Sequence, residues 1–166
     1  MSAPIRILGI DPGLRHTGWG VISVDGSRLG LVAEGRISPK TDQALSERLM
    51  DIHAALETLI SQYRPNEAAA EETFMASNAA SALKLGHARA AALLAPARAG
   101  LPVAEYAARL VKKSVVGTGG ADKAQVSAMI GVLLPGCKAK DDAADALAVA
   151  ICHAHHRKSQ SLGGAA

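Results

Sequence analysis

Aromatic side chains are nearly absent from this chain: one Trp, two Tyr and one Phe make up 2% of its 166 residues. That scarcity makes each position informative, and Phe74 most of all. Cysteine is scarce as well. Cys137 and Cys152 show no CxxC spacing, which argues against a disulfide framework or a zinc site and for ordinary reduced thiols. No apolar run approaches the roughly 20 residues that cross a bilayer. The N-terminus has no long apolar core of the signal-peptide kind, so a cytoplasmic protein is expected. There is no internal repeat and no linker, so one domain is expected over residues 1–158, followed by a disordered Ser/Gly/Ala tail over 159–166.

What is present is globular composition, 49% hydrophobic and 20% charged, in a chain long enough for one sizeable core. The net charge of +3 is unevenly placed. From Met1 to Leu83 there are 7 Lys/Arg against 10 Asp/Glu, a net of −3; from Lys84 to Ala166 there are 11 against 5, a net of +6. If the acidic groups meet in the fold, the basic half can surround something anionic, and nucleic acid fits that pattern.

The apolar run Ile5–Ile10 reads as a strand ending on Asp11, with Pro12-Gly13 turning the chain. Gly18–Val24 and Leu29–Ile37 read as two more strands, joined by the hairpin signal Asp25-Gly26-Ser27. Helical spacing of Leu45, Leu49, Ile52, Leu56, Leu59, Ile60 and Tyr63 predicts a helix over 45–63. Ala68–Glu71 is a short fourth strand, and an alanine-rich helix follows over about 77–95, closed by Pro96 and Gly100. A fifth strand starts at Leu101, and further helices are predicted over about 122–134 and 141–156. Strands that pair first and then alternate with helices imply an α/β domain whose five-stranded mixed sheet is covered by helices on both faces. The order matches the ribonuclease H-like layout, in which the first and fourth strands are neighbours and Asp11 would lie beside Glu71.

Asp11 is therefore the feature of greatest interest. A carboxylate at the end of a buried strand needs compensation, because an unpaired buried charge costs several kcal/mol. Glu71-Glu72 and the pair Asp142 and Asp145 can converge on it. Asp142 and Asp145 share one helix face, with Cβ atoms roughly 5–6 Å apart. Asp141 has a plainer reading as a helix cap. Glu71 and Glu72 point to opposite sides of a strand, so one of them faces the site. Clustered carboxylates repel unless a cation joins them, and hard oxygen donors favour Mg²⁺ or Mn²⁺ over zinc. Two such ions can activate a water and stabilise the leaving oxygen of a phosphodiester.

Other candidates carry less. His153 lies eight residues past Asp145, about 12 Å along the helix, so it and His156 suit surface or supporting roles better than ligation. The stretch Gly117–Lys123 lacks the GxxxxGK[ST] pattern, which excludes a Walker phosphate loop. Phe74 is either core packing or an exposed platform for bases. Lys112, Lys113 and Lys123 are either solvated charges or phosphate contacts.

Taken together, these segments resemble the RuvC family of Holliday-junction resolvases. The matching stretches are Ile7–Gly13 with Thr17–Gly20, Glu71 with Phe74–Asn78, Ser81–Gly86, Glu105–Ala108, Lys112 with Val115–Gly117, and Asp142–Ala148. They run in order along nearly the whole chain. The resemblance implies that Asp11, Glu71, Asp142 and Asp145 are the catalytic metal ligands, and it selects Glu71 over Glu72. It makes Phe74 an aromatic that contacts junction bases. Lys112 and Lys123 become contacts of the scissile phosphate and DNA backbone, with Asn78 and Lys84 further DNA-binding positions. It also implies two Mg²⁺ ions per site, replaceable by Mn²⁺, and a homodimer that nicks four-way junction DNA symmetrically at preferred short sequences. The ends would be a 5′-phosphate and a 3′-hydroxyl, and the RuvA–RuvB branch-migration complex would be a partner.

Three rival readings have distinct consequences. A YqgF-like RNA-processing nuclease shares the first strand, but the Phe74–Asn78 and Ser81–Gly86 stretches argue against it. An ATPase of the sugar-kinase or actin type needs two such domains. A non-catalytic junction-binding module would gain nothing from four repelling carboxylates.

Overall fold

The computed structural model describes the backbone of residues 3–72 and 77–163, and side chains as far as Arg157. Strands β1 (Ile5–Asp11), β2 (Thr17–Asp25) and β3 (Arg28–Ile37) come first, then helix α1 (Leu45–Tyr63), strand β4 (Glu67–Glu72) and helix α2 (Ala79–Arg98). Strand β5 (Val103–Ala107) and helices α3 (Ala108–Val116), α4 (Lys123–Leu133) and α5 (Asp141–Gly163) complete the order. One sheet forms with strand order β3-β2-β1-β4-β5. β1, β2 and β3 pair antiparallel, whereas β4 lies parallel to both β1 and β5. The hairpin between β2 and β3 has a two-residue loop, Gly26-Ser27, and Gly26 takes φ +61 as its first position requires.

Alternation along the central strands divides the core into two layers. Leu8, Ile10, Val21, Ala68 and Ala70 face α1 and α2, against Ile52, Leu56, Ala88 and Ala92. Ile7, Ile22, Ala69 and Tyr106 face the other way, against α3, α4 and α5. Burial on both sides explains why β1 reads as a nearly continuous apolar run.

α5 is the central helix of the second layer. It lies unusually close to the sheet because small residues admit it. A Cβ added at Gly9 would run into the Ala146 carbonyl oxygen, and one at Gly18 into the carbonyl of Asp142. Its far end is fastened by a buried polar chain. Glu67 can only accept, so His153 Nε2 donates to Glu67 at 2.7 Å and His153 Nδ1 accepts from the Tyr106 hydroxyl at 2.7 Å. Arg157 closes the chain with a two-nitrogen grip on Glu67.

Several boundaries differ from those read in sequence. α3 carries no clear sequence signal, because its nine residues include three β-branched valines and no side-chain cap. Packing of Val111 and Val115 into the core supplies what propensity does not. Pro96 lies inside α2 rather than ending it; the turn comes at Gly100, with φ +76. β5 begins at Val103, and α5 continues to Gly163. Among the described residues no helix is long and apolar enough to cross a membrane, and both cysteines are free.

Two outcomes follow from this packing. Gly18→Ala must push α5 off the sheet, and a loss of about 1–3 kcal/mol is expected in urea unfolding. The second concerns pH. Burial holds His153 below the ordinary imidazole range, and Arg157, then His153, hold Glu67 below the usual carboxylate range. The unfolded chain therefore binds more protons than the folded one, first through His153 as pH falls below about 6.5 and then through Glu67 below about 4.5. The contribution of this pair to stability drops as pH falls, and His153→Gln should remove its His153 part from the dependence of Tm between about pH 7 and pH 5.

Candidate active site

Three elements bring four carboxylates to one end of the sheet. Asp11 ends β1, where its partner across β2 is Gly18. Ile10 pairs with Ala70 on β4, so the next residues along, Asp11 and Glu71, are neighbours. Ala69 packs on the α5 side and Ala70 on the α2 side, and this alternation turns Glu71 toward α5 and Glu72 away. Asp142 and Asp145 come from the first turns of α5, brought in by the close approach over Gly18.

Asp11, Asp142 and Asp145 can each offer an oxygen within 4.8 Å of the other two. Glu71 stands outside that tight group. It lines a cavity of about 300 Å³ together with Asp11, Asp145, Lys112 and Lys123. Asp141, which opens α5, adopts φ 50, a left-handed conformation that Asp tolerates better than most residues. It lines a neighbouring hollow with Lys123 and Asp145 rather than this cavity.

The cluster is electrostatically strained. Burial, followed by the charges of Glu71, Asp145 and Asp142, pushes the Asp11 carboxyl up to about 8, against a downward pull from Lys123. Burial is also the main cause that raises Glu71 and Asp145. For Glu71 the charge of Asp145 adds to it, while Lys112, Lys123 and Arg89 oppose. Lys123 reaches Asp145 at 3.7 Å from the start of α4. A reciprocal capping box sets that start: Gln125 N–H donates to Asp122 at 2.8 Å, and Asp122 N–H donates to Gln125 at 2.9 Å.

The remaining sequence candidates divide. Lys112 and Lys123 reach the cavity, whereas Lys113 does not line it. Asn78 caps α2, its side-chain oxygen accepting from Ser81 N–H at 2.9 Å, which leaves its amide NH₂ for other contacts. Lys84 is exposed and lines a second hollow near the start of α2. Phe74 lies outside the described residues. His153 is buried in the network on Glu67, four residues and about 13 Å along β4 from Glu71, so it supports α5 and is no part of the cluster.

Two arginines have no counterpart in the sequence reading. Arg36 on β3 approaches Asp142 at 3.8 Å, and Arg89 on α2 donates to the Glu71 carbonyl and to the Glu105 carboxylate. Neither sits in a motif. Arg36 is 18 residues from the nearest site-end partner, Gly18, and only the β2–β3 register brings it near.

A mixed sheet of this order, with acidic groups at the adjoining ends of β1 and β4 and on the final helix, defines a ribonuclease H-like domain. The family model described as "Crossover junction endodeoxyribonuclease RuvC" matches residues 7–153. The protein of that name from Maricaulis maris is 71% identical over 166 residues, covering 100% of both chains. That from Caulobacter vibrioides is 60% identical over 155 residues, covering 93% of this chain and 92% of its own. Among solved structures, Thermus thermophilus RuvC in complex with a Holliday junction substrate superposes with a TM-score of 0.88 at 32% identity, covering 95% of this chain and 97% of that one. The fowlpox virus Holliday junction resolvase, at 11% identity and a TM-score of 0.56, shares the fold. The chain belongs to the RuvC family of crossover junction endodeoxyribonucleases.

The strain on Asp11 yields a direct expectation for the protein in chelator. A carboxyl raised in the folded state destabilises the fold as pH climbs from about 4 toward 8, because the unfolded chain releases its proton first. Asp11→Asn should therefore raise the metal-free Tm near pH 7, by about 2–4 °C per kcal/mol relieved, and the gain should vanish near pH 4.

Proposed function

We propose that this protein resolves four-way DNA junctions by paired phosphodiester hydrolysis, with divalent metal held by Asp11, Glu71, Asp142 and Asp145. The observation that carries the site assignment is the convergence of three aspartates within 4.8 Å beside a cavity that Glu71 and two lysines share. Family membership supports the substrate: a RuvC covered over nearly its whole length was solved with a Holliday junction.

The donor set fits Mg²⁺ or Mn²⁺. It offers hard carboxylate oxygens without Cys or His, and the raised Asp11 pKa reflects burial and then a repulsion among carboxylates that bound cations relieve. Divalent ions bound there supply Lewis-acid activation of water and stabilise charge on the departing oxygen. The protein's own groups do the rest. Asp11 and Glu71, fixed by paired strands, and Asp142 and Asp145, fixed by α5, hold the charge cluster in a set geometry. Lys112 and Lys123 enter the same cavity with positive charge, where they hold the scissile phosphate and offset its charge. In-line attack by water with departure of the 3′ oxygen leaves a 5′-phosphate and a 3′-hydroxyl, ends that a ligase can rejoin.

A nearly symmetric junction calls for two equivalent sites, which an isologous homodimer provides. The exposed face of α2, with Ala79, Ala82, Leu83, Gly86, Ala90 and Leu94, supports such a contact because small residues allow close helix approach. The RuvA–RuvB complex is the partner that family membership suggests, and the cytoplasm is the compartment.

The test compares wild type with Asp11→Asn on a synthetic four-way junction, with and without Mg²⁺, scoring binding and cleavage separately. Paired, metal-dependent nicks are expected from wild type. The variant should retain binding and lose cleavage by more than about 100-fold, since even partners of metal ligands cost 10–100-fold. Binding without cleavage by wild type would instead indicate a binding module, and cleavage of structured RNA alone a YqgF-like activity.

A further inference from the structure

The catalytic cavity lies on the α3–α5 side of the sheet. At the same strand end, on the α1–α2 side, a second hollow of about 390 Å³ is lined by Leu14, Arg15, Thr41, Arg48, Ser81 and Lys84 among others. Three of those residues are cations, two carry hydroxyls, and among the described residues no carboxylate lines the hollow. Asp42 and Glu47 lie close in sequence but outside the lining, and Glu47 accepts from the Ala44 N–H at 3.2 Å. The cationic lining therefore has no acidic side chain built into it.

Arg48 is the telling member. One of its terminal nitrogens donates to the Leu14 carbonyl at 3.2 Å, while its Nε is buried and has no hydrogen-bond partner among the described residues. A buried, unsatisfied donor on a cation costs free energy, so this guanidinium is incompletely satisfied by the described residues alone. The β1–β2 loop that carries Arg15 is pinned in advance. Buried Thr17 donates to the Gly13 carbonyl at 2.7 Å, the Arg48 bond holds Leu14, and His16 pairs with the Ser38 hydroxyl at 2.8 Å. Helix α2 begins at this hollow, and its capped first turn adds a favourable dipole for an anion.

We propose that Arg15, Arg48 and Lys84 form a second phosphate seat, which holds the DNA backbone beyond the scissile position, on the opposite face of the sheet from Lys112 and Lys123. The inference rests on the junction-nuclease reading and extends it. DNA that reaches the carboxylates must pass over a strongly negative strand end, and cations on one flank alone would leave the strand repelled on the other. With seats on both faces, the β1–β2 loop becomes a ridge that the backbone crosses. Backbone contacts position the strand and carry no sequence information.

Arg15 and Lys84 are exposed, so replacing both tests the seat with little risk to the fold. Junction binding by Arg15→Gln/Lys84→Gln should be measured in Ca²⁺ between about 50 and 200 mM salt, beside wild type and the charge-matched control Arg28→Gln/Arg64→Gln. The control pair sits at the opposite end of the sheet, at the β2–β3 turn and the end of α1. The seat predicts that the slope of log K against log salt shrinks by about 3.6 for the dimer, from about 0.9 for each of four phosphates that the two protomers no longer neutralise. Affinity should fall alike for junctions of different sequence. A slope equal to that of the control would overturn the seat, as would a weakening confined to particular sequences. Single Lys84→Gln, expected to shrink the slope by about 1.8 for the dimer, serves if the double variant melts early. Failure of wild type itself to bind junctions would count against the nuclease reading, a result distinct from failure of the seat alone.

Discussion

Everything at the active end depends on how closely α5 lies against β1 and β2. The helix reaches its position because Gly9 and Gly18 present no side chain beneath it. One methyl group at Gly18 would meet the backbone of Asp142 itself, so the residue that admits the helix also sets the height of a carboxylate in the acidic cluster. The polar chain of Tyr106, His153, Glu67 and Arg157 fastens the same helix further along. Apolar packing alone would permit a slide by part of a turn, because alanines along the helix are nearly interchangeable. Directional hydrogen bonds to a buried histidine remove that freedom.

This rigidity holds together groups that repel one another. Asp11 is lifted to about 8 by burial and by its acidic neighbours, so the fold stores an unfavourable arrangement of charge at this strand end. The lysines nearby moderate the strain without cancelling it. Lys123, delivered by the capped start of α4, and Lys112, on α3, line the same cavity as Asp11 and Asp145. Acidic groups therefore occupy the centre of the strand end and basic groups its flanks, a distribution suited to a polyanion that must be drawn in and then cut.

The legible parts of the fold are those with strong periodicity or turn chemistry. The helix over 45–63 and the three leading strands match within a residue or two, because their apolar spacing and the Asp25-Gly26-Ser27 turn leave few alternatives. α3 is hidden because its valines read as strand-like, and its stability comes from burial of Val111 and Val115. Pro96 misleads for a related reason. The ring forfeits the bond to the Ala92 carbonyl, yet burial of Ala95 and Pro96 carries α2 on to Arg98.

The acidic residues that gather at the strand ends can be told from the chain before it folds: an aspartate ending an apolar strand, a glutamate ending another, and two aspartates three apart on a helix. Those types in that order have little structural use apart from a cation, whatever their final distances. Their geometry arises only on folding. Which of Glu71 and Glu72 faces the site follows from the β4 register, and the roles of Arg36, Arg89 and Arg48 follow from sheet pairing and helix docking across tens of residues. Local spacing cannot encode such contacts, because they exist only once the sheet has closed and α5 has settled onto its glycines.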